Sequence, residues 1–296
     1  MERNERVLRL RSAAKCLLAA LLLGILGAAP ACAAEGKVRL VVRGDDMGFC
    51  HAANEACIRS YREGVMRDVE VVVPGPWYKE AVKMLKENSG LDVGVHLTLT
   101  SEWEGCKWGP ITKAPSLADK YGHFYPMVRR HPSFPPNSAL LEAKPKPDEV
   151  EAELSRQIEL AVADIPQVSH LSDHMGAATS TPEMRAIVER LAKKYRLPLE
   201  AKARWAGSTA WAGAKTSEAK EAAFVELLEG LAPGDWILVE HPGLDGPEMR
   251  AIGHRGNEDV AAARQAVTDA FTSPKVKEAI ARQGIRLTTY AALHGK

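Results

Sequence analysis

From Lys37 onward, short β-branched runs alternate with stretches whose apolar residues recur every three or four positions. Lys37 to Val42 predicts a strand, broken by Gly44-Asp45-Asp46-Met47-Gly48, and Ala52 to Arg62 predicts a helix closed by Gly64. Val69 to Val73 reads as a second strand ended by Pro74-Gly75-Pro76, Tyr78 to Glu87 as a helix, and Val93 to Leu99 as a third strand. Glu149 to Asp164 carries Val150, Leu154, Ile158 and Ala161 on one helical stripe, and a fourth strand begins over Val168 to Leu171. A helix over Glu183 to Tyr195, a weak fifth strand around Leu199 to Ala203, a helix over Ser217 to Leu231 and a buried sixth strand, Trp236 to Val239, follow. Two helices, Asp259 to Phe271 and Pro274 to Gln283, precede a seventh strand at Arg286 to Tyr290. Repeated β–α units of this kind make a parallel sheet, either a closed barrel or an open doubly wound sheet, and a single domain over 35–296 accounts for them.

The first 34 residues stand outside this rhythm. Arg3, Arg6, Arg9, Arg11 and Lys15 precede a 14-residue apolar run, Cys16 to Ala29, and the small residues Ala31-Cys32-Ala33-Ala34 follow. The run is short for a membrane span, and the pattern is that of a cleavable secretory signal, with an uncleaved anchor as the alternative. Ala29-Pro30-Ala31 is a poor context for lipid attachment at Cys32. The expectation is an exported protein, periplasmic or extracellular, with no membrane contact after signal removal. A second departure is Thr100 to Pro147, with eight prolines and the aromatics Trp103, Trp108, Tyr121, Phe124, Tyr125 and Phe134. A loop this long is usually functional or disordered, and its aromatics argue against disorder. We expect it both to pack on the domain and to wall a substrate cleft, with Trp103 and Trp108 as candidate faces for a sugar ring.

Composition adds exclusions. The 296 residues are 46% hydrophobic and 26% charged with a net charge of +1, and beyond the first 34 residues 34 Lys and Arg face 36 Asp and Glu. No basic surplus points to nucleic acid. Cys50, Cys57 and Cys106 are the cysteines beyond that segment; three thiols without CxxC spacing give no disulfide framework, and they read as small buried apolar residues.

In a parallel β/α fold reactive groups collect at the C-terminal ends of the strands. There the chain is polar each time: Asp45-Asp46, His96 within Gly94-Val95-His96-Leu97-Thr98-Leu99, Asp173-His174, and Glu240-His241-Pro242-Gly243. Singly, each has a bland reading as a helix cap, a core histidine or a turn. Jointly, carboxylates and imidazoles in one mouth suit a divalent metal, with one acidic group left for proton transfer. His51, His123, His131, His254 and His294 read as solvated.

The stretch Arg43-Gly44-Asp45-Asp46-Met47-Gly48, followed by Asn54, resembles the Asn-Ala-Asp-Asp-Phe-Gly signature of the YdjC/ChbG-like carbohydrate deacetylases. Gly94 to Leu99 matches that family's Gly-x-His-Leu-Thr-Leu, His170-Leu171-Ser172-Asp173-His174 approximates its His-Leu-Asp-Ser-His, and Ile237 to Gly243 echoes its late Glu-Leu-x-x-His-Pro-Gly. The tail from Thr272 to Tyr290 is similar too, so the resemblance runs in order from Val38 to about Leu293. It implies a seven-stranded, distorted TIM-like (β/α) barrel that hydrolyses an acetamido group on a sugar or oligosaccharide. It further implies Asp46, His96 and His174 as ligands of one divalent ion, magnesium or zinc, and Asp45 as general base. Such a triad leaves coordination positions open for water and a carbonyl oxygen. His241 is our candidate for the acid that protonates the departing amine. Arg43 and Glu240 join Trp103 and Trp108 as candidate substrate contacts, and His170 is expected to support its strand.

Three departures matter. Arg43-Gly44 replaces Asn-Ala and brings a positive charge near the site; Ser172-Asp173 inverts Asp-Ser and changes which side chain faces the metal; Gly176 stands where most members have a further histidine. Two other functions stay open. A metal-dependent hydrolase of another carbohydrate bond is disfavoured, because glycosidases flank the bond with separated carboxylates and Asp45 and Asp46 are adjacent. A glycan-binding barrel that has lost turnover is supported by the departures. N- and O-acetyl substrates are not distinguished.

Overall fold

The computed structural model describes residues 37–199 and 203–295. The expected signal segment and the middle of the expected fifth strand lie outside them. Strand β1 (Val38–Met47) runs on through Asp45 and Asp46 instead of breaking at Gly44. Pairing on both edges holds it: β6 (Gly234–Glu240) accompanies Val38 to Gly44, and β2 (Asp68–Val71) accompanies Arg43 to Met47, with a register shift between Gly44 and Met47.

β3 (Asp92–Leu97), β4 (Val168–Asp173), β5 (Arg204–Trp205) and β7 (Arg286–Leu287) complete a seven-stranded, wholly parallel sheet in the order β4-β3-β2-β1-β6-β5. β7 shares the β2 edge of β1: Thr288 N–H donates to the Leu40 carbonyl and Arg67 N–H to that of Val42. β4 and β5 end the sheet and do not pair with each other among the described residues. The expected TIM-like barrel is thus seen in part: the described residues form an open, parallel partial barrel ending in β4 and β5, with β7 beside β2 on β1. Tyr290 begins a helix instead of ending a strand.

The helices are α1 (His51–Arg62), α2 (Tyr78–Lys86), α3 (Pro147–Asp164), α4 (Pro182–Tyr195), α5 (Thr209–Gly213), α6 (Ser217–Glu229), α7 (Pro247–Arg250), α8 (Val260–Thr272), α9 (Pro274–Arg282) and α10 (Tyr290–Leu293). No helix of the described residues is long and apolar enough to cross a membrane. Along the strands the side chains alternate faces. One set, including Leu40, Val42, Val69, Val71, Val93, Val95 and Leu171, is fully buried in the main core with Ala53, Leu85, Ile158 and Phe271 from the helices. Each such Val, Leu, Ile or Phe side chain contributes roughly 1.5–3 kcal/mol through burial. The other set is polar: Arg43, Asp45, Glu70, His96, His170 and Ser172 are all buried and contact one another. The face of the sheet away from the main core is thus largely a charged network, and among the described residues Val41, Ile237 and Tyr290 form a small apolar cluster with Val239 and Leu293 packed against it.

The long segment before α3 is pinned by one polar face of that helix. Glu149 accepts from Ser116 N–H, Glu153 from the N–H groups of Ile111 and Thr112, and Gln157 clamps both backbone groups of Thr98. These positions are four residues apart, hence stacked along the helix. The segment also buries Trp103, Trp108, Leu117 and Phe124, so much of it is core. Cys50, Cys57 and Cys106 are free thiols, two buried and one half-buried.

Candidate metal centre and its cleft

Asn54 sets the turn that follows β1. Its Oδ1 accepts from Gly48 N–H at 2.7 Å while its amide donates to Trp77 O and Glu80 Oε2. Asp46 takes a left-handed backbone, φ +71°, which costs about 1–3 kcal/mol and recurs at functional sites. Its Oδ1 lies 3.2 Å from His174 Nδ1 and 3.6 Å from His96 Nε2, and the three atoms fall within 4.8 Å of one another. Oδ1 is buried without a hydrogen-bond partner, whereas Oδ2 accepts from Arg264 Nη2 at 2.8 Å. The three predicted ligands are together. A carboxylate oxygen and two imidazole nitrogens converging on a buried, unsatisfied point fit a divalent cation.

Both imidazoles are oriented from behind. Ser172 Oγ donates to Glu70 Oε2 and so accepts from His96 Nδ1 at 2.7 Å, leaving Nε2 of His96 unprotonated toward Asp46. Glu70 is held in turn by His170 Nε2 at 2.7 Å and Arg43 Nη1 at 3.6 Å. On the other side His174 Nε2 is taken by Glu102 at 3.1 Å, which turns Nδ1 toward Asp46. Of the inverted pair, then, Ser172 supports a ligand. Asp173 accepts from the N–H groups of Ala178 and Thr179 and the Thr179 hydroxyl, fixing the loop after β4. Gly94 lets β3 pass this network, since a Cβ there would strike the Glu70 carboxylate and His170 Nε2.

Burial works against charge at all three ligands. At Asp46 it is overcome by His241, His174 and Arg264, which hold the carboxyl well below the usual range. At His96 burial wins and favours the neutral ring that a metal ligand requires. At His174 burial is outweighed by Glu102 and Asp46, so the imidazole is pushed well up.

Asp45 receives a bidentate Arg43 guanidinium at 2.7 and 2.8 Å, and its Oδ2 lies 3.7 Å from His96 Nε2. Arg43 is buried and also donates to the Tyr290 hydroxyl at 3.0 Å. His241 Nε2 stands 3.9 Å from Asp46 Oδ2 with its side chain 44% exposed. Glu240 is 3.7 Å from Lys220 Nζ. Arg43, Asp45, Lys220, Glu240 and His241, with Trp103, line a cleft of about 630 Å3. Trp108 is absent from that lining: its Nε1 donates to Thr100 O and its ring packs against Phe49 and His174, correcting its expected role as a sugar contact. His254 also departs from expectation, since it lines the cleft and stacks on Trp103 at 5.7 Å. His51 is half-exposed on Glu80 and takes no part in the site.

Sequence reasoning missed Glu102, Arg264 and Glu70. Glu102 lies in an aperiodic segment and Arg264 is a lone cation on α8, so neither carried a signal. α8 reaches the site because Gly243 lacks a side chain: a Cβ there would meet Met249 Cε at 2.7 Å and Arg264 Cβ at 2.8 Å. Glu70 was legible, because a buried parallel strand is normally an unbroken apolar run and Asp68-Val69-Glu70-Val71 is not.

Comparison with known proteins agrees with the ordered motifs. The model of the YdjC-like protein family matches residues 39–282. A carbohydrate deacetylase of Vibrio parahaemolyticus is 26% identical over 268 residues, 86% of this chain and 96% of that one. A carbohydrate deacetylase of Thermus thermophilus is 36% identical over 162 residues, 55% of this chain and 53% of that protein, so that match spans about half of each. A crystal structure from Enterococcus faecalis, assigned provisionally to cellobiose-phosphate cleavage, shares the fold with a TM-score of 0.67 at 22% identity, over 87% of this chain and 99% of that one. The chain belongs to the YdjC-like protein family.

Proposed function

We propose that this chain is a metal-dependent carbohydrate deacetylase acting on N-acetylated sugars or oligosaccharides. The observation that carries the reading is the orphaned Asp46 Oδ1 set against His96 Nε2 and His174 Nδ1, with Asp45 and His241 each within 4 Å of that set in one cleft. The deacetylase names of the relatives support it.

Asp46, His96 and His174 would hold the ion, zinc or magnesium. A divalent cation bound there supplies Lewis acidity toward the acetyl carbonyl and the attacking water. Asp45, oriented by Arg43, takes the proton from that water as its oxygen attacks the acetyl carbon. His241, at the open side of the cleft, gives a proton to the nitrogen as the C–N bond breaks, yielding acetate and a free amine. Trp103 and Glu240 offer an aromatic edge and a carboxylate to the sugar from the cleft wall.

The test is acetate release from N-acetylated sugars and chitooligosaccharides, with O-acetylated sugars as a second panel, after chelation and resupply of zinc or magnesium. Metal-dependent release that Asp46→Ala abolishes is the expected result. A protein that binds glycans but releases no acetate with either metal would overturn the reading in favour of a non-catalytic barrel. We also propose export, supported by the basic start and 14-residue apolar run. Recovery of the protein only from the cytoplasm with its first residues intact would refute it.

A further inference from the structure

A second cavity of about 280 Å3 adjoins the catalytic cleft and shares Arg43, Asp173 and Trp205 with it. Trp205, on β5, is 65% exposed although tryptophan is usually well buried. Its backbone is not loose. Trp205 pairs with Ile237, the next residue's N–H donates to the Ile237 carbonyl at 2.7 Å, and Ala206 is buried. On the other side the Arg204 guanidinium lies 4.0 Å from the Trp236 ring centroid and donates to Pro233 O. The sheet edge therefore holds an indole in the open between two joined cavities.

We infer that Trp205 is the platform of an accessory sugar subsite, where the indole stacks on the ring next to the acetylated one; this rests on the carbohydrate reading above. A pyranose presents one face of weakly positive C–H bonds that suits the negative face of an indole, while its hydroxyls stay at the wet edges. The second cavity matches that division, with apolar Leu199 and Ile237 beside polar Thr179 and Asp173. Its continuity with the cleft fits a neighbouring residue of the same oligosaccharide better than a separate ligand.

The experiment compares wild type, Trp205→Ala and Trp205→Phe on an N-acetylated monosaccharide and its trisaccharide, and measures trisaccharide binding to all three by calorimetry. Trp205→Ala is expected to lower the ratio of trisaccharide to monosaccharide kcat/KM about tenfold, mainly through KM, with Trp205→Phe restoring most of it. An equal loss on both sugars, or an unchanged ratio, would overturn the subsite. Calorimetry separates the two readings: if wild type releases no acetate yet binds the trisaccharide, and Trp205→Ala weakens that binding, the subsite stands while the deacetylase reading falls. A wild-type chain that neither turns over nor binds the trisaccharide removes both.

Discussion

Asp46 Oδ1 and His174 Nδ1 face each other across 3.2 Å in a buried site, yet no hydrogen bond satisfies the oxygen. A buried, unpaired acceptor costs about 1–3 kcal/mol, more when it is charged. Here the cost is concentrated where two imidazole nitrogens also point, as a cation site demands.

Asp46→Ala and His174→Ala should each abolish stoichiometric zinc binding and acetate release while the far-ultraviolet dichroism stays native. Either variant retaining the metal and full turnover would remove it from the ligand set.

Ser172→Ala leaves all three ligands in place but removes the hydroxyl that links His96 to Glu70. Support of this kind is worth about 10–100-fold in metal affinity. We expect a loss in that range by competitive chelator titration, with the thermal midpoint within a few degrees of wild type. Unaltered affinity would mean that packing alone orients His96.

His241→Gln tests proton delivery. The side chain is 44% exposed, so the fold should not suffer, and kcat should fall about 10²–10⁴-fold with little change in KM. A rate within threefold of wild type would reduce His241 to a turn residue.

The network behind the site makes stability depend on pH. Burial lowers the His170 imidazole, but Glu70 and Asp68 outweigh it and lift the group to about 9; burial lifts Asp68 to about 8. Both groups keep protons in the folded chain that the unfolded chain releases, so each contributes stability that is lost as pH rises, for His170 between its ordinary 6.5 and about 9. Glu70 acts in the opposite sense: burial raises it, His170 and Arg43 pull it to about 2, and its contribution is lost as pH falls from its ordinary 4.5 toward that value. Folding stability should therefore peak in mildly acidic buffer and decline toward pH 9 by the order of a few kcal/mol, and thermal midpoints should follow it. His170→Gln should flatten the alkaline decline; an equally steep decline in that variant would place its origin elsewhere.

The strand ends were readable because a parallel sheet carries its chemistry there, so Asp45, Asp46, His96, His174 and His241 could be singled out from order alone. Trp108 was misplaced because aromaticity in a long loop does not tell core from cleft, and Phe49 and His174, against which its ring packs, are distant in the chain. Trp205 gave no signal, since a two-residue strand has no period.

The sequence by itself determined which residues stand at the ends of the strands, through alternation that is local in the chain. Tertiary structure alone decided how those side chains point and where the sheet stops. His96 is aimed by Ser172, 76 residues away, His174 by Glu102 at 72, and Asp46 by Arg264 at 218. Such contacts form only when distant strands and helices come together, and no local periodicity records them.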